Sequence, residues 1–296
     1  MKRQIKRGRI LTRRGALRAV GLGIAGLPLV RLAGCSASDP EGTGGAGGAD
    51  AAATGGDGSA SRWASGGTAA MTAADGYPDP FAAGDGACAL LCQTTAGPCT
   101  ADTLERQDVS EGWTGLPVRL ALLVVDAAAC EPIEGAKLEI WHTQRTGVYS
   151  GVTPSGAMCY GEDPDAVNHL YFRGTQTTGA SGRVDFDTCF PGWYPGRAIH
   201  VHFRVTIGGD AYVTSQLFFA DSLVSEIFAS HPEYEEFGQP DTTSETDSVI
   251  GGEDDPARYV LTTARMADGA MLASKVIAIR SSTGEELCAA GAGGAG

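Results

Sequence analysis

The sequence predicts an all-β fold, an antiparallel β-sandwich with few short helices, carried by residues 87–290 of the 296. Three observations predict it. Apolar residues recur in short runs with a period of two, Gly, Pro and Asp turns separate those runs, and only two short stretches carry helical periodicity. Residues 118–126 form a near-continuous apolar run closed by a polar turn, the pattern of a buried strand. Residues 137–142 alternate polar and apolar, and residues 182–187 do the same after a Gly turn. Ile199, Val201, Phe203 and Val205 alternate with His200, His202 and Arg204, and residues 213–219 and 275–279 supply two further strands. Residues 222–228 and 232–237 read as short helices.

The flanks read differently. Residues 1–34 carry nine Lys and Arg and no acid, then an apolar stretch over 20–30 that is too short to span a bilayer. Thr12-Arg13-Arg14 before it is similar to a twin-arginine export signal, and Leu32-Ala33-Gly34-Cys35 resembles a bacterial lipobox. Their order implies a signal over 1–34, lipid on Cys35, and a chain exported and anchored at the cell envelope, periplasmic or outer. Residues 35–86 are largely Gly, Ala, Ser, Thr and Asp and are expected to be a flexible tether, with a short tail over 291–296.

Of 22 Lys and Arg, nine fall in residues 1–34, leaving 13 against 35 Asp and Glu, a net charge of about −22 on the mature chain. Such a surface repels nucleic acid and anionic membranes, so neither a nucleic-acid partner nor electrostatic membrane binding is expected. With Cys35 assigned to lipid, seven cysteines remain: Cys88, Cys92, Cys99, Cys130, Cys159, Cys189 and Cys288. The spacing of the first three fits no common zinc module and no histidine lies nearby, so disulfides are expected. Their pairing is not readable, and the odd count leaves at least one cysteine unpaired or paired between chains.

The sharpest local feature is His200-Val201-His202. Residues two apart on a strand share a face, so both imidazoles project together at a spacing suited to one metal ion. An ordinary polar face would carry the same pattern. Its context is Pro191-Gly192-Trp193-Tyr194-Pro195-Gly196-Arg197 just upstream, and Trp141-His142 leading to Gly147-Val148-Tyr149-Ser150 earlier in the chain.

With Phe172-Arg173-Gly174 running to Thr178-Gly179-Ala180-Ser181-Gly182 between them, these motifs together resemble the intradiol ring-cleavage dioxygenases, nearest their secreted bacterial branch. The resemblance covers roughly residues 88–255. It implies an aromatic-compound dioxygenase sandwich, transthyretin-like in architecture, holding non-haem Fe(III) through Tyr149, Tyr194, His200 and His202. It also implies a small aromatic diol and O2 as reactants, a muconate-type diacid as product, and Tyr194 as the ligand that leaves the metal to take a substrate proton. Arg197 and Gln216 match positions the family places beside the bound ring. Phenolates suit the ferric state independently, because a trivalent ion lowers the phenol pKa from its ordinary value of about 10.

One motif departs from the family. Gly97-Pro98 runs into Cys99 where the family has an aromatic residue. The helical dimerisation segment of the cytosolic catechol enzymes also has no counterpart, so no oligomeric state carries over. Two rival readings remain: a cell-surface binding module on the same sandwich without the reaction, and a copper or zinc protein using His200 and His202 alone.

Overall fold

The computed structural model of the chain describes residues 62–84 and 88–290. Eight strands run in chain order: β1 Pro117–Asp126, β2 Lys137–Trp141, β3 Arg173–Thr177, β4 Arg183–Cys189, β5 His200–Ile207, β6 Asp210–Phe218, β7 Thr262–Arg265 and β8 Met271–Ile279. Two α-helices, α1 Gly156–Tyr160 and α2 Asp221–Ser230, lie between strands. The strands form two four-stranded sheets, ordered β4-β1-β8-β7 and β3-β2-β5-β6. The β-sandwich expected from the sequence is therefore present. It is not wholly antiparallel, because β1 pairs β8 in parallel while every other strand pairing runs antiparallel. β1 is buried at seven of its ten positions, which suits a central strand with a parallel neighbour better than a half-solvated one.

The core lies between the sheets. Leu120, Leu122, Val124, Phe186 and Ile277 from one sheet form a single buried cluster with Leu138, Ile140, Val201, Phe203, Val205 and Leu217 from the other. α2 packs onto this core through Val224, Ile227 and Phe228, which recur at the helical spacing. Of residues 232–237, only Glu235–Phe237 is helical, as a single 3-10 turn.

Residues 62–84 correct the tether reading. They pack on the domain: Ala64 N–H donates to Gly269 O at 2.8 Å, Gly67 N–H to Gly115 O at 2.8 Å, and the Tyr77 hydroxyl to Asp268 at 2.8 Å. The Arg265 guanidinium stacks 4.0 Å over the Trp63 ring. Composition concealed this docking, since a few anchors (Trp63, Thr68, Tyr77, Phe81) sit among many small residues. The signal over 1–34, Cys35, the tether residues 35–61 and the tail 291–296 lie outside the described residues.

Among the described residues three disulfides form, Cys88–Cys130, Cys92–Cys288 and Cys99–Cys159. Cys189 is left as a buried free thiol, and burial pushes it up.

Candidate active site

Strand register assembles the floor of the site. Arg173 on β3 pairs with Trp141 on β2, Trp141 with His202 on β5, and His202 with Gln216 on β6. Paired residues share a face, so Arg173, Trp141, His202 and Gln216 form one row across all four strands. Val201, Phe203 and Val205 point into the sandwich core, which turns His200 and His202 to the opposite face.

That face is roofed by loops. The segment after β2 brings Tyr149, the segment before β5 brings Tyr194, and residues 94–99 cross beside His202. Gly147 lets the first two loops meet: its φ is +80°, and a Cβ there would lie 2.1 Å from Trp193 O. Gly97 similarly sits against His202 Cε1, with φ +66°.

The four donor atoms converge. His200 Nε2 lies 3.1 Å from His202 Nε2, and the Tyr149 hydroxyl lies 3.3 Å from the first and 3.1 Å from the second. The Tyr194 hydroxyl is 3.3 Å from His200 Nε2 and 3.4 Å from the Tyr149 hydroxyl. The structure thus brings all four expected ligands to one point. His200 Nδ1 is 2.6 Å from Ala198 O and donates to it, so the Nε2 lone pair faces the cluster. Trp141 stacks on His202 at 4.9 Å and 6°, fixing the plane of that imidazole.

Electrostatics suit this donor set to a cation. Burial, reinforced by Arg197, pushes His200 down to about 3 and likewise holds His202 well below the ordinary imidazole range, so both rings are neutral. Burial raises both phenols, Tyr149 with Tyr194 as a second cause, while the Arg197 charge works against burial at Tyr194. Two lone-pair imidazoles facing two protonated phenols make a site where a hard cation can displace the phenol protons. Among the described residues, no group of three or more His, Cys, Asp or Glu is placed to hold a metal; this cluster has two histidines, and its other two donors are phenols.

Arg197 and Gln216 also arrive. Arg197 Nη2 donates to Gln216 Oε1, and Gln216 Nε2 donates to Thr95 O at 2.7 Å. Sequence reasoning missed the partner that fixes them. Asp247 accepts from Arg197 Nε at 2.9 Å with a fully buried side chain. Nothing fifty residues downstream in the sequence marked it. Sequence reasoning also missed the role of Arg173, whose Nη2 donates to Cys99 O at 2.7 Å and to Ser150 O at 2.6 Å, tying the roofing loops to the sheet. Burial lowers that guanidinium to about 10, leaving it charged at neutral pH. Cys99, the departure from the family pattern, is spent on the disulfide to Cys159, and both half-cystines pack with Trp141 and Tyr149. A cleft of about 730 Å³ has Tyr194 and Arg197 in its lining.

No protein-family profile matches the chain. Over 140 residues it is 28% identical to catechol 1,2-dioxygenase 1 of Acinetobacter lwoffii, a match covering 41% of this chain. The chain spans 42% of the length of that curated relative. Among solved structures it is similar to an intradiol ring-cleavage dioxygenase from Tetranychus urticae, at 28% identity and a TM-score of 0.57, covering 65% of this chain and 95% of that one. A second dioxygenase crystal structure matches at 28% identity and a TM-score of 0.58, with the same two coverages.

Proposed function

The chain resembles intradiol ring-cleavage dioxygenases in sequence and in fold, and from that premise we propose that it is a non-haem Fe(III) enzyme opening catechol-type rings with O2 to muconate-type diacids. The observation that carries this reading is the buried convergence of two phenols and two imidazoles, with Arg197 beside them. Tyr149, Tyr194, His200 and His202 would hold the iron. Ferric iron, when bound, supplies a Lewis acid that stabilises the diol as its dianion and prepares the ring for dioxygen.

The chain's own residues do the rest. Tyr194 lines the cleft, while Tyr149 is 2% exposed and no part of that lining, so Tyr194 is the hydroxyl that takes a substrate proton. Arg197, held by Asp247 and Gln216, presents a fixed positive charge to negative charge building on the ring. Trp141 and the Ala198 carbonyl keep the two imidazoles in orientation.

The test is direct. The purified protein should be reddish, contain one iron per chain, and convert catechol under ¹⁸O2 to a diacid carrying both labelled atoms. A colourless protein that binds diols without consuming oxygen would support the binding-module reading instead. Placement is a separate proposal: residues 1–34 are a signal and Cys35 carries lipid at the cell envelope. Intact-mass analysis showing residues 1–34 retained and Cys35 unmodified would end it.

A further inference from the structure

The cleft that Tyr194 and Arg197 line is larger than a single ring requires. A volume of about 730 Å³ lies in the range of roughly 300–1,000 Å³ that encloses drug-sized ligands. Its lining joins two kinds of side chain. Tyr194 and Arg197 belong to the donor cluster and its surroundings, and Val148, Trp193, Phe237 and Met158 supply apolar and aromatic surface. Met158 is 72% exposed, one of only three large hydrophobic side chains exposed among the described residues. With Val148, Trp193 and Phe237 it makes an apolar lining against which a ligand can bury a ring.

The charges in the lining fix the other half of the argument. Arg197 is ion-paired with Asp247 and is taken up at the diol end, and Arg145 lies 3.3 Å from Glu236 while its guanidinium sits over the Phe237 ring. Glu162 brings an exposed carboxylate to the lining, so a carboxylated extension would meet paired arginines and a like charge. The acidic balance of the chain repels it further.

We propose that the cleft selects catechols carrying an uncharged aromatic extension, the diol end at Tyr194 and Arg197 and the second ring against Trp193, Phe237, Val148 and Met158. This rests on the function proposed above and names its substrate class. The extension is bound by apolar contact, so the preference is expressed in KM more than in kcat.

Three diols test it on the full-length iron-loaded chain: catechol, a 4-aryl catechol and a 4-carboxy catechol. The aryl compound should exceed catechol in kcat/KM by ~10-fold or more, and the carboxylate should fall below catechol by a similar factor. In Met158→Gln and Phe237→Ala, the ratio of aryl to plain catechol should drop toward one. Met158 is surface-exposed, so its substitution leaves the fold in place even if Phe237→Ala does not fold. Calorimetric titration of the chelator-treated chain gives a readout free of turnover, and there too the aryl diol should bind ~10-fold more tightly than catechol. Equal affinities, no aryl binding, or an unchanged ratio in Met158→Gln overturns the proposal while leaving catechol cleavage intact. Aryl-selective binding with no oxygen-dependent product from any diol would sink the dioxygenase reading and leave the cleft assignment standing.

Discussion

Asp247 Oδ2 stands 2.9 Å from Arg197 Nε and 2.8 Å from the Ala198 backbone nitrogen, so one carboxylate holds both the guanidinium and the turn that leads into His200. Its other oxygen accepts from Val249 N–H at 2.8 Å, closing its own turn. Burial works to raise the Asp247 pKa, but the Arg197 hydrogen bond and charge outweigh it and hold the carboxyl below its ordinary value. The pair fixes the cation beside the donor cluster and links its position to folding.

Asp247→Asn keeps the shape and removes the charge, leaving a nearly buried guanidinium without its counter-ion. It should cost about 2–4 kcal/mol in urea unfolding at pH 7. The sign with pH follows from the depressed pKa. A carboxyl lowered by folding adds stability above its unfolded value of about 4, and that stability is lost as pH falls through the folded value. The wild type should therefore converge on Asp247→Asn below about pH 4. A constant gap from pH 7 to pH 3 would show that the pair is not what Asp247 contributes.

Arg197→Ala alone is a poor probe of catalysis, because it strands the Asp247 carboxylate and should lose about 3 kcal/mol of stability. The double change Arg197→Ala with Asp247→Asn removes both charges and should recover much of that loss. It should still slow the oxygen-dependent step about a hundredfold, the usual cost of losing one preorganised charge. Arg197→Lys should recover only part of the rate, since an ammonium cannot reproduce the fork between Asp247 and Gln216. Single-turnover loss of bound-substrate absorption after adding O2 measures all three. Equal rates would leave Arg197 a structural residue.

The two tyrosines should differ. Tyr149 contacts Tyr194, His200 and His202, whereas Tyr194 contacts only Tyr149 and His200 within the cluster. Tyr149→Phe should lower iron content more than Tyr194→Phe, and each should shift the visible absorption without unfolding the domain. Metal analysis and spectra of both variants check this; identical spectra in wild type and the double variant would exclude the tyrosines as ligands.

The site was legible where chemistry and short spacing coincide. His200 and His202 share a face because strands alternate, whereas Tyr149 and Tyr194 were legible only through the resemblance their motifs carry, Tyr149 lying 51 residues from His200. Of the strands, β3 and β7 were not anticipated: Arg173–Thr177 is mostly polar, and Thr262–Arg265 is four residues long. The row of Arg173, Trp141, His202 and Gln216 depends on register between four strands, which no local pattern encodes. Asp247 and the Cys99–Cys159 pairing are long-range in the same sense. Composition misread residues 62–84, because an anchor such as Trp63 binds through what it meets rather than through its neighbours in sequence.

That docked segment carries a prediction of its own. Chains starting at residue 62 and at residue 87 differ by the stretch that holds Trp63, Thr68, Tyr77 and Phe81. The shorter chain loses the Trp63–Arg265 stack, the Tyr77–Asp268 hydrogen bond and the backbone bonds at Ala64 and Gly67. It should melt about 2–12 °C lower, the equivalent of about 1–3 kcal/mol for a domain of this size. Coincident melts would show that the segment is not docked in solution.

The Cys99–Cys159 disulfide should matter to the donor cluster more than the other two. It joins the loop carrying Gly97, which lies against His202, to α1, whose Cys159 carbonyl accepts from the Tyr149 N–H at 2.9 Å. Its half-cystines pack with Trp141 and Tyr149, so the crosslink is continuous with two side chains of the site. Replacing both with Ser removes a 60-residue closure and should cost about 4 kcal/mol by the chain-entropy relation. The Cys88–Cys130 closure spans 42 residues and should cost a similar amount, but it lies among β1 and β8 residues at a separate cleft. The pair therefore separates general stability from site geometry. Cys99→Ser with Cys159→Ser should lower iron affinity about tenfold or more, as expected when a group that orients metal ligands is lost. Cys88→Ser with Cys130→Ser should leave that affinity within about threefold at comparable loss of stability. Iron competition against a chelator, run well below both melting temperatures, reads the difference. Equal losses of affinity would mean that the Cys99–Cys159 bridge only stabilises the fold and does not position Tyr149.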